Sequence, residues 1–152
     1  MSISINQLAR SIDIVARRCP RGLSALIGEV EPPSHDELVT AATWRPASEV
    51  DTPIGSGDGE QVTNTVAQVL ALTGPIEAVG WARIVAAACE IREMYPLPFK
   101  VYRLHVNNVG SDQWRDGSGG VRRIAEKCGV SVATVTRWRH LVPRRIAKTA
   151  LK

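Results

Sequence analysis

The sequence predicts a mainly α fold: a helical N-terminal module followed by a small C-terminal helical domain. Three observations lead there. Apolar residues recur every three or four positions in most segments, prolines and glycines fall where those periodic stretches stop, and no clear pair of strand-like runs is available to build a sheet.

The elements follow in order. Ile5, Leu8, Ile12, Val15 and Cys19 share one face of a first helix, which should end before Pro20 and Gly22. The stretch "GLSALIGEVEPP" reads as a partly apolar link. Ser34 with Glu37 three residues on forms a capping-box pattern for a second helix from about His35 to Trp44. Residues 45–60, rich in proline, glycine and acids, have no periodicity and read as a flexible loop. Val62, Val66, Val69 and Leu70 then fall at helical spacing up to Gly74, and Pro75 is suited to open the next helix. That helix, with Ile76, Val79, Ile84, Ala87, Ala88 and Ile91 in a wide stripe, is the expected central core helix and should stop at Pro96. "LPFKVYRLHVNNV" carries strand-like residues, yet Val101, Leu104 and His105 would share a helical face, and helix is the preferred reading. "GSDQWRDGSGG" is a glycine-rich loop.

The division expected from this layout is an interaction module over residues 1–98 and a nucleic-acid-binding domain over 99–152. Charge supports it. Residues 121–152 hold nine Lys and Arg against one acid, net +8, whereas residues 1–120 carry net −4. A polyanion is the natural partner of the basic end. Three widely spaced cysteines fit neither a disulfide framework nor a paired-ligand metal site, so no metal and no cofactor are expected. No run reaches the roughly 18 apolar residues of a membrane helix, and a cytoplasmic protein with no membrane partner is the expectation. The chain also has no Walker loop, H-E-x-x-H or G-x-S-x-G pattern, so the reading is of a protein that is not an enzyme.

The most informative segment is "VRRIAEKCGVSVATVTRW", residues 121–138. A DNA-reading hairpin of helices needs a bracing helix, a tight turn and a second helix with one face inward and one outward. Ile124 and Cys128 give the first helix an inward face, and Ala125 is small where the helices cross. Gly129 occupies the turn, Val130 fills the gap, Ser131 can cap the second helix, and Val135 with Trp138 face inward.

With Ala125, Gly129, Val135 and Trp138 at its most restricted positions, the segment resembles the helix-turn-helix family of bacterial and phage regulators. The resemblance covers about twenty residues. It implies binding of double-stranded DNA, with Val132, Ala133, Thr136, Arg137 and His140 facing the bases. Arg137 is the candidate for a bidentate contact to guanine. Arg122, Arg123, Ser131, Arg139, Arg144, Arg145 and Lys148 would hold phosphates. Pro143 would begin a last short helix, and too few residues follow for the β-hairpin of a winged variant.

The layout is also similar to phage late-gene regulators, Mor-type activators and Q-type antitermination factors. It implies a transcription regulator whose N-terminal module forms a homodimer or meets RNA polymerase, acting as antiterminator, activator or repressor. The competing expectation is a structural DNA-binding subunit, such as a phage packaging-recognition or recombination protein.

Overall fold

The computed structural model describes residues 3–43, 58–108 and 119–152. Among them are eight helices and no strand: α1 (Ile5–Arg18), α2 (Gly22–Leu26), α3 (His35–Thr43), α4 (Asp58–Val79), α5 (Trp81–Met94), α6 (Pro96–Asn108), α7 (Gly119–Cys128) and α8 (Val132–Ala150). The fold is mainly α.

Helix α1 begins at Ser4, whose hydroxyl accepts from the Gln7 amide while the Gln7 side chain accepts from the Ser4 amide, a reciprocal cap. Its periodic face is buried: Leu8, Ile12 and Val15 are fully enclosed. The predicted box at α3 is present, with Glu37 N–H donating to Ser34 Oγ and Ser34 N–H donating to Glu37 Oε1, each across 3.2 Å. Between them, the stretch read as a link contains the one-turn helix α2, which buries Leu23, Ala25 and Leu26. It lies so close to α1 that a Cβ at Gly22 would overlap the Val15 carbonyl oxygen. Trp44 and residues 45–57 lie outside the described residues, and residues 58–60 already belong to α4.

Helix boundaries also differ from the sequence expectation at two prolines. Helix α4 does not stop at Gly74; it continues through Pro75 to Val79. The break comes at Gly80, where the chain bends by 81° into α5. Ile76 and Val79 therefore belong to α4, while Ile84, Ala87, Ala88 and Ile91 bury one face of α5. Pro143 likewise starts no new helix, because α8 runs unbroken from Val132 to Ala150 with Pro143 buried inside it. A proline in a helix interior costs about 3 kcal/mol through its missing N–H and ring clash. Burial of the surrounding face offsets that cost here, with Val142, Ile146, Ala147 and Ala150 all enclosed.

The centre of the fold is not α5, which keeps Ala82, Arg83, Ala86 and Glu90 exposed. It is formed by α1 and α8, and α8 packs against α1, α5, α6 and α7. One large core joins Leu8, Ile12 and Val15 of α1 to Leu72, Ile84, Tyr102, Val142 and Ile146. A second, smaller core gathers Val101 of α6, Ile124 and Ala125 of α7, and Val135 of α8. Helices α6 and α8 contribute to both, so a boundary between residues 98 and 99 does not separate the two cores. No single helix among the described residues is long and apolar enough to cross a membrane.

Candidate nucleic-acid interface

Helices α6, α7 and α8 form a three-helix unit around the smaller core. Ile124, Ala125 and Val135 are buried there, with Leu104, Val121, Cys128, Val130 and Trp138 packed at its margin. Each residue assigned to the inward side of residues 121–138 thus lies on that side, Cys128, Val130 and Trp138 only partly covered.

The joint between α7 and α8 is a Schellman turn. Gly129 has φ 69°; its N–H donates to the Glu126 carbonyl at 3.4 Å and the Val130 N–H donates to the Ala125 carbonyl at 3.0 Å. An L residue with a Cβ is disfavoured in this left-handed conformation, which is why glycine stands there. Val130, just past the turn, packs onto the smaller core and so fixes the angle at which the chain leaves α7. Ser131 then caps α8, its hydroxyl accepting from the Thr134 amide at 3.1 Å and lying 2.8 Å from the Thr134 hydroxyl.

The opposite side of α8 is open. Val132, Ala133, Thr136, Arg137 and His140 are all exposed, Val132 to 45%. The Thr136 hydroxyl donates to the Val132 carbonyl at 3.1 Å, which leaves the oxygen as an acceptor and the methyl as a contact. Ser131, assigned to phosphate, has its hydroxyl committed to the cap.

The cations fall into three groups. Arg122, Arg123, Arg144 and Lys148 are exposed on α7 and α8. Arg145 is exposed too, but its guanidinium carbon lies 5.7 Å from the centroid of the Tyr95 ring, so it also braces α8 against the α5–α6 junction. Arg139 is half-buried and lines a cleft of about 330 Å³ together with His140, Asp13, Arg17 and His105.

The sequence reading did not select Asp13, Arg17 or His105 as site residues. Asp13 and Arg17 lie on α1, more than 120 positions from Arg139, and only the packing of α1 on α8 brings them together. The available signal was His105 itself, a titratable side chain on the same helical face as Val101 and Leu104. Burial pushes its imidazole below its ordinary pKa, Arg139 lowers it further, Asp13 raises it, and Arg17 and His140 lower it slightly.

Compared with known proteins, the chain matches no family, and no characterised protein or solved structure is similar to it.

Proposed function

We propose that the chain is a sequence-specific DNA-binding transcription regulator in which α7, the Gly129 turn and α8 form a wingless helix-turn-helix. The observation that carries this reading is the Schellman turn. It seats Ile124, Ala125 and Val135 inward and leaves residues 132, 133, 136, 137 and 140 outward on one helix, with cations at both flanks.

In this reading the N-terminal half of α8 enters the major groove. Arg137 takes guanine O6 and N7, while Val132, Ala133 and the Thr136 methyl meet base edges and thymine methyls. Arg122, Arg123, Arg144 and Lys148 fix the register on the backbone. A single reading helix makes a small interface, so useful affinity calls for a second contact. The larger, net-acidic part of the chain supplies it, through a second copy or through RNA polymerase in the manner of a phage-type activator or antiterminator.

The test is selection of bound genomic fragments with wild type and Arg137→Ala side by side, followed by transcription through a downstream terminator on the best fragment. One promoter-proximal site is expected. Its loss of about 1–3 kcal/mol in the variant, with relaxed discrimination, marks Arg137 as a base reader. Read-through of the terminator then identifies antitermination, and altered initiation identifies an activator or repressor. Absence of any preferred site, with both proteins alike, refutes the reading.

A further inference from the structure

The cleft between α1, α6 and α8 has an uneven charge balance. Its one acid among the described lining residues, Asp13, is engaged through both oxygens: Oδ1 accepts from the Tyr102 hydroxyl at 2.7 Å, and Oδ2 lies 2.9 Å from Arg17 Nε. Tyr102 is wholly enclosed, and its burial beside Asp13 keeps the phenol protonated and donating. The Asp13 charge is therefore matched by Arg17 before the rest of the cleft is considered.

What remains is Arg139, His105 and His140. No ion pair among the described residues takes Arg139. One guanidinium, with its fixed fork of donors, thus faces the same space as two imidazoles, each with a donor N–H group. A cavity of about 330 Å³ is at the lower end of small-ligand sites and exceeds what a bare tetrahedral ion fills. A carboxylate brings a single charge and two oxygens. A phosphoryl group has both the charge and the oxygens to use the guanidinium and the imidazoles together.

We propose that this cleft is a phosphoryl-binding site, with Arg139 as its charge anchor and His105 and His140 as its hydrogen-bond donors. The inference stands on the charge arrangement and goes beyond DNA reading. The phosphoryl group can belong to a nucleic-acid backbone or to a free phosphorylated molecule, and the chemistry is the same. Because His140 is one helical turn beyond Thr136 on α8, an occupant contacts the helix that carries the reading face.

The experiment follows the histidine side-chain resonances of the full chain during titration with inorganic phosphate, against chloride at matched ionic strength. His35, exposed on α3 away from the cleft, is the internal control. Phosphate should perturb the resonances of His105 and His140 and raise the His105 titration midpoint by up to about one unit, while the His35 resonance stays put. Arg139→Gln should abolish the rise while keeping the cooperative thermal melting transition of the wild type, which shows that the variant folds. A short DNA duplex is the second arm. A rise that the duplex causes by itself, and that Arg139→Gln abolishes, identifies the backbone as the source; a rise with inorganic phosphate but none with the duplex identifies a free ligand. His105 and His140 moving no more than His35 in both arms overturns the proposal. Loss of duplex binding alone removes the regulator reading and leaves the phosphoryl site standing.

Discussion

The Ser11 hydroxyl donates to the Ala71 carbonyl across 3.3 Å, and this is the carbonyl that Pro75, four residues further along α4, has no amide to fill. Ser11 is almost completely buried, a polar side chain on the otherwise apolar inner face of α1. One hydrogen bond thus joins two helices and repairs a defect that proline makes in one of them.

Ser11→Ala should lower stability by about 1 kcal/mol in urea denaturation. In a Pro75→Ala background the new amide can take the same carbonyl, so the Ser11→Ala penalty should shrink. Strict additivity of the two substitutions in the double-mutant cycle would show that the bond and the proline are unrelated.

The same pair marks the limit of what was legible in the sequence. Helices α1 and α3, the inward residues of α7 and α8, and the turn at Gly129 could all be read, because each depends on local spacing or on a cap within a few residues. The continuity of α4 through Pro75 and of α8 through Pro143 could not. Local rules correctly favour a stop at proline, and tertiary packing overrode them at two buried positions. The one-turn α2 was equally hidden, since five residues are too few for a periodic signal. For the candidate site, the outward face of α8 follows from helical geometry. The cleft does not, because Asp13, His105 and Arg139 meet only once α1, α6 and α8 are packed.

Gly129 allows a test in which backbone and packing separate. A Cβ built there meets no atom within 4 Å, so replacement is penalised by the positive φ and not by a clash. Gly129→Ala should cost about 1–2 kcal/mol, Gly129→Val more, and Gly129→Asn least, as read by thermal melting. Equal melting temperatures for Asn and Val would mean that the turn does not hold the left-handed conformation.

Cys19 should be chemically silent in the folded chain. It is buried at the end of α1, its Sγ 3.9 Å from the Glu37 carbonyl oxygen. Burial, aided by the Glu37 charge, raises its pKa to about 11. At about pH 8 roughly one part in a thousand is thiolate, the reactive form. Titration with an aromatic disulfide reagent should therefore leave Cys19 unmodified until denaturant is added, with the modified positions identified by peptide mass analysis. Rapid labelling of Cys19 in the native chain would contradict its enclosure.

His105 ties stability to acidity, with a definite sign. Burial comes first, then Arg139, with lesser effects from Arg17 and His140; together they outweigh the opposing Asp13 and hold the imidazole below its ordinary value of 6.5. The folded chain therefore takes up a proton at this site less readily than the unfolded chain does. Stability is at its full value above that ordinary value and declines as pH falls below it toward the lower folded value. His105→Gln removes the titrating group, so its urea midpoint should fall less than that of wild type between about pH 7.5 and pH 5.5 in chloride buffer. Inorganic phosphate, by favouring the imidazolium, should restore part of the wild-type loss and do nothing for the Gln variant. Parallel declines for the two proteins would locate the acid sensitivity elsewhere, whatever the cleft binds.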